Sequence, residues 1–155
     1  MKAGAYSRRG ERSGFGDFRC GHCHQYVSAN PLLSGVQNRN HCPYCLWSRH
    51  VDLFKAGDRL CACKALMQPV GVTLKRRHKR YMRPGQGELM IVHLCVECGG
   101  LSINRVAADD DADALLAAFE AAQHHAALLH RQMQASGIQP LSAAERPLVQ
   151  MQFLI

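Results

Sequence analysis

The chain has 155 residues, with 19 Lys and Arg against 12 Asp and Glu, a formal charge of +7, and eight cysteines. That length suits one modest domain with extensions, and no stretch approaches the ~18 consecutive apolar residues that span a bilayer, so a helical membrane protein is excluded. The first residues, MKAGAYSRRGERSGFGDF, carry positive charge without the apolar core of a secretory leader, and a reduced, cytoplasmic setting is expected.

Residues 1–14 are rich in Gly, Ser and Arg (Arg8, Arg9, Arg12) with almost no aliphatic side chains, which predicts a flexible basic arm. Residues 15–107 hold every cysteine, in four close pairs: Cys20/Cys23, Cys42/Cys45, Cys61/Cys63 and Cys95/Cys98. Disulfides are the rival use of eight cysteines, but partners at this spacing are poorly placed to bridge each other. A CxxC turn instead aims two thiolates at one tetrahedral metal, about 2.3 Å from each sulfur, and two such turns close a structural zinc site. Four pairs imply two Zn2+ ions, whose binding supplies folding free energy on the order of 10 kcal/mol each.

Sequential pairing puts Cys20, Cys23, Cys42 and Cys45 on one metal and Cys61, Cys63, Cys95 and Cys98 on the other; a crossed pairing satisfies the same spacing. His22, His24, His41 and His93 flank these cysteines, and are expected to support thiolates rather than replace them, because four sulfurs already saturate the ion.

Within this region, Val70, Val72 and Leu74, then Leu89, Ile91 and His93, with Met90, Val92 and Leu94 opposite, predict two antiparallel strands. Their connection carries Lys75, Arg76, Arg77, Lys79, Arg80 and Arg83 and ends in turn residues, a projecting basic hairpin suited to an RNA backbone. Residues 108–136 predict an amphipathic helix, capped by Asp109 or Asp110. Its stripe of Leu115, Phe119, Ala122, Ala126, Leu129 and Met133 would pack on the zinc domain, or serve a protein partner or self-association over residues 112–134. Residues 137–155 form an apolar tail that would dock or add an edge strand. The predicted fold is therefore a small α+β zinc-binding domain: two zinc-ribbon or knuckle units with short antiparallel strands, followed by an amphipathic C-terminal helix.

The segments FRCGHC, RNHCPYCLWSRHVD, GDRLCACKALMQP, IVHLCVECG and NRVAADD, spread over residues 18–111, resemble the bacterial RNHCP domain family, whose name is the string standing here at Arg39 to Pro43. The resemblance implies a zinc-ribbon-like fold and supports the metal assignment; it brings no biochemical activity with it. Residues 75–83 are more basic than the family pattern suggests, so the expectation of RNA binding by the hairpin is specific to this chain and is not implied by the resemblance.

Charge is split: residues 1–105 hold 17 Lys and Arg against 6 Asp and Glu, and residues 106–155 hold 2 against 6. Two tetrathiolate zinc sites, each carrying about −2, leave the basic half still positive. The first functional expectation is a non-catalytic zinc protein binding structured RNA, with a ribosomal particle as a candidate partner. Arg39, Arg49, Lys75, Arg76, Arg77, Lys79, Arg80, Arg83 and Arg105 would meet phosphates, and Trp47, Tyr44 or Tyr81 would stack on bases. A second is a metal-dependent nuclease of His-Asn-His type built from Asn40, His41, His50, Asp52 and Asn104. A third is a thiol-based redox switch, since Cys61, Cys63, Cys95 and Cys98 match the zinc-centre spacing of a redox-regulated chaperone family.

Overall fold

The computed structural model describes residues 16–75 and 87–151. It begins with a two-stranded ribbon, β1 (Phe18–Arg19) against β2 (Tyr26–Val27), followed by a single turn of helix, α1 (Pro31–Ser34). Then comes a four-stranded antiparallel sheet in the order β3 (Ser48–Arg49), β4 (Leu66–Lys75), β5 (Glu88–Cys95), β6 (Leu101–Arg105). Helices α2 (Ala112–Ala122), α3 (Ala127–Ala135) and α4 (Arg146–Met151) complete it. This is a small α+β fold of short antiparallel strands with helices at the C-terminal end.

The alternation of β-branched and aliphatic residues places β4 beside β5, with Val72 opposite Ile91 and Lys75 opposite Glu88. A bulge between Pro69 and Gly71 breaks that alternation, because Pro69 has no N–H for the ladder. Its effect is visible in the core: Val72 joins Leu89, Ile91, Leu115 and Phe119 on one face, whereas Val70 joins Val92 and Met133 on the other. Both faces of β5 are thus covered, one by α2 and the other by Met133 of α3.

The stretch predicted as one helix is divided at Gln123–Ala126. Gln123 turns its Nε2 to the carbonyls of Phe119 and Leu141, at 3.0 and 2.9 Å, and His125 Nε2 lies 2.8 Å from the Val70 carbonyl. These side chains satisfy carbonyls across the break, so Ala126 is exposed while Leu115, Phe119, Ala122 and Met133 are buried against the sheet. Asp111, not Asp109 or Asp110, caps α2, accepting from Ala114 N–H at 2.7 Å. The tail adds no strand among the described residues. It passes Thr73 as an isolated bridge at Pro140 and then turns helical, burying Leu141 and Val149 in the main core. Among the described residues no helix is long and apolar enough to cross a membrane.

Candidate metal centres and a basic cleft

Three of the four cysteine pairs fold into the same backbone knuckle. In each, the first cysteine's carbonyl accepts from the N–H four residues on: His24 to Cys20 at 3.0 Å, Leu46 to Cys42 at 2.8 Å, Gly99 to Cys95 at 3.1 Å. That fourth residue is left-handed in every case, with φ of 65° at His24, 64° at Leu46 and 73° at Gly99. The turn brings sulfurs i and i+3 to one side and leaves amides pointing at them: His22 and Cys23 N–H lie 3.3 and 3.4 Å from Cys20 Sγ.

The first two knuckles meet face to face. Cys20 Sγ is 3.6 Å from Cys45 Sγ, and Cys23 Sγ is 3.5 Å from Cys42 Sγ. A tetrahedron with metal–sulfur bonds of about 2.3 Å has edges of about 3.8 Å, so the four sulfurs fit a zinc ion closely. Burial pushes the Cys42 thiol up to about 11 and raises Cys45 as well, a cost of gathering thiolates that a dication offsets by sharing their charge.

At the second centre the expected ligand set changes. The donor atoms of His50, Cys63, Cys95 and Cys98 lie within 4.8 Å of one another, and Cys61 is outside this group. Cys63 Sγ is 3.7 Å from Cys95 Sγ, and His50 Nδ1 is 3.3 Å from Cys98 Sγ, near the ~3.6 Å nitrogen–sulfur edge of a mixed zinc tetrahedron. The CxC spacing explains the exchange. Cys61 is buried and its N–H donates to the Val51 carbonyl at 2.9 Å, while Cys63 faces solvent, so the two sulfurs do not converge as a knuckle pair does. Cys95, though burial opposes it, is lowered to about 6 by the amides of Cys98 and Glu97, by Cys98 itself and by His50.

Gly100 makes room for the histidine. A Cβ there would stand 3.2 Å from His50 Cε1 and 3.3 Å from Cys98 Sγ, so any side chain would press on two ligands at once. Each of the two groups could hold a zinc ion, the first through four thiolates and the second through three thiolates and an imidazole. The chaperone-like spacing of four cysteines is accordingly reduced to three at this centre.

The residues that make the central block recognisable are internal struts. Arg39, which also lines a cleft beside the β1–β2 ribbon, is buried with its guanidinium engaged internally: its Nη1 donates to Asp109 Oδ2 at 2.8 Å, its Nη2 to Asp110 Oδ1 at 3.2 Å, and its Nε to the His41 carbonyl at 3.1 Å. His41 Nε2 sits 2.9 and 2.8 Å from the two oxygens of Asp110, which also accepts from Ala107 N–H. The Asn40 carbonyl accepts from Ser48 Oγ, and the Pro43 carbonyl from Asp111 N–H. The paired acids therefore serve Arg39 and His41, while Arg105 pairs with Glu88.

His93 is a second clasp. Its Nε2–H donates to the Leu46 carbonyl at 2.6 Å and its Nδ1 accepts from Asn104 Nδ2 at 2.8 Å, so it is neutral. Full burial, reinforced by nearby His41, holds its pKa down to about 3. The five nuclease candidates do not converge: the Asn40 carbonyl serves Ser48, His41 faces Asp110, His50 faces Cys98, Asp52 accepts from Gly57 and Arg59 N–H, and Asn104 supports His93.

Of the predicted nucleic-acid contacts, Arg49, Lys75 and Arg105 are exposed, whereas Arg76, Arg77, Lys79, Arg80 and Arg83, like Tyr81, lie outside the described residues. Arg49 lines a cleft of about 960 Å³ between the β1–β2 ribbon and the 47–51 segment, joined there by Arg19, Arg59, Tyr26 and Trp47. Tyr26 is 79% exposed with the Arg19 guanidinium 5.8 Å from its ring centre, and Trp47 stacks on His22 at 4.1 Å and 3°. Sequence reasoning misses Arg19, Arg59 and Tyr26; closeness in the chain to Cys20 and Cys23 is the signal for Arg19 and Tyr26, and nothing comparable marks Arg59.

No curated protein and no solved structure matches the chain. The RNHCP domain model matches residues 15–116, which take in both metal groups, the Arg39–Asp110 strut and the cleft, and on that match over most of its length the chain belongs to the RNHCP domain family.

Proposed function

We propose that the protein is a non-catalytic, zinc-organised module that binds single-stranded stretches of structured RNA in this cleft. The observation that carries it is the lining: Arg19, Arg49 and Arg59, the last also paired with Asp52, with the exposed ring of Tyr26 and the part-buried Trp47 stacked on His22. Guanidinium groups neutralise backbone phosphates, and an exposed ring such as that of Tyr26 accepts an unpaired base whatever its identity, which together favour single strands over duplex. Lys75 and the cations that follow it in sequence add to the attraction.

The test is fluorescence anisotropy of the zinc-loaded protein with a labelled RNA of about 12 nucleotides, near the upper end of single-strand site sizes, as single strand and as duplex, across a salt series. Single-strand preference and a steep fall of affinity with salt are expected, the slope shrinking by about one for each phosphate-contacting arginine removed. Absence of binding at low salt, with both zinc ions present, would sink the proposal. For a ribosomal particle as the natural RNA, salt-sensitive co-sedimentation from lysate is the expected result and free migration the contrary one.

A further inference from the structure

We propose that metal occupancy of the His50–Cys63–Cys95–Cys98 centre holds the cleft in its binding form, so that losing this one metal releases RNA while the other centre stays loaded. The inference rests on the RNA reading above for its ligand, and on the following geometry for its mechanism.

The cleft has one wall on each metal unit. Its first wall is the ribbon carrying Cys20 and Cys23, and its second contains Arg49, Val51 and Leu66. His50, a ligand of the second centre, is the residue between Arg49 and Val51, so fixing its imidazole fixes the backbone from which both wall residues project. That backbone has no long strand to hold it: β3 pairs only Ser48 with Met67 and Arg49 with Leu66. Beyond this, His50 N–H donates to the Ala65 carbonyl, the His50 carbonyl accepts from Lys64 N–H at 2.9 Å, the Val51 carbonyl accepts from Cys61 N–H at 2.9 Å, and Val96 N–H donates to the Leu66 carbonyl at 3.1 Å. The three ligand-bearing segments therefore meet chiefly through a few backbone bonds and the four donor atoms.

The two walls touch where Trp47 stacks on His22 and again at Gly21. A Cβ on Gly21, in the first knuckle, would come within 2.8 Å of both Arg49 Nη2 and Leu66 Cδ2, so the ends of these two wall side chains pack closely against the knuckle. A shift of His50 is thus transmitted to the Arg49 guanidinium and to the gap between the walls.

The centres differ in access. Cys20 and Cys42 of the first are 3% and 0% exposed, whereas Cys63 and Cys98 of the second both face solvent and only Cys95 is buried. A chelator reaches the second centre first, through the solvent-facing sulfurs of Cys63 and Cys98.

The experiment compares the parent protein with His50→Ala and His50→Cys, measuring zinc per chain, anisotropy with the labelled single-stranded RNA, and acrylamide quenching of Trp47, the sole tryptophan and a cleft residue. His50→Ala should keep one zinc, bind RNA about tenfold more weakly, as a binding form populated at about one-tenth requires, and expose Trp47 to quencher. His50→Cys should restore all three. Unchanged RNA affinity in the single-zinc variant, or loss of both metals together, overturns the proposal. If the parent binds no RNA, the RNA reading alone fails, and Trp47 quenching then decides the metal link: a rise supports it and no change refutes it.

Discussion

Replacing Asp110 by Ala removes the centre of the strut that joins the Arg39–Pro43 block to the start of α2. The Asp110 carboxylate is fully buried and accepts from Arg39 Nη2 at 3.2 Å, His41 Nε2 at 2.8 Å and Ala107 N–H at 2.7 Å. Deleting it leaves the Arg39 guanidinium, itself without exposure, paired only with Asp109, whose side chain is 35% exposed. Stranding one partner of a buried ion pair costs about 3–5 kcal/mol, whereas a half-solvated partner is worth ~1 kcal/mol or less. Asp110→Ala should therefore lose several times more stability than Asp109→Ala. Urea unfolding at fixed excess zinc reads both, since metal linkage then contributes equally. A loss under about 1 kcal/mol for Asp110→Ala, or a loss for Asp109→Ala that equals it, would refute the strut.

The remaining expectations follow from the same contacts. Phe119→Ala, at a fully buried position in the main core, should cost about 3–5 kcal/mol in the same urea experiment, and Asp111→Ala about 1 kcal/mol through the lost α2 cap. Tyr26→Ala should weaken single-strand RNA by about 1–3 kcal/mol if a base stacks on that ring, measured by anisotropy at constant salt. Asp58 accepts from Leu53, Phe54, Lys55 and Leu60 N–H, bonds that hold its carboxyl well below the ordinary range. Because the folded pKa is depressed, its hold on the loop is complete above the ordinary carboxylate value of about 4 and is lost as pH falls toward the lower one. At neutral pH, Asp58→Asn should strip hydrogen-exchange protection from those amides; retained protection would show that the loop closes without the carboxylate.

Much of this architecture is legible in the chain because its signals are local. Cysteines three apart become knuckles by a turn that needs only the next residue to accept a left-handed backbone, and β4 and β5 announce themselves by alternation. What escaped is set by partners far apart in sequence. Nothing near Arg39 reveals that acids some seventy positions on will bury it, so its charge reads as a surface cation. His50 rather than Cys61 is grouped with Cys63, Cys95 and Cys98 because the grouping is set by where β3 and the Cys95 knuckle bring their donors, not by thiol count; the CxC spacing, one residue short of the other three pairs, is the available clue. The break between α2 and α3 likewise depends on Gln123 and His125 finding carbonyls at Leu141 and Val70. The cleft was invisible for the same reason: Arg19, Arg49 and Arg59 are adjacent only after two metal units are set side by side.

Ultraviolet crosslinking of the zinc-loaded protein to single-stranded RNA, read by peptide mass spectrometry, tests the assignment of the cleft most directly. Adducts should concentrate on the segments bearing Tyr26 and Trp47, and Arg49→Ala should suppress them while Arg39→Ala, in whatever fraction folds, should not. Adducts confined to other surfaces, or equal suppression by both substitutions, would contradict the account.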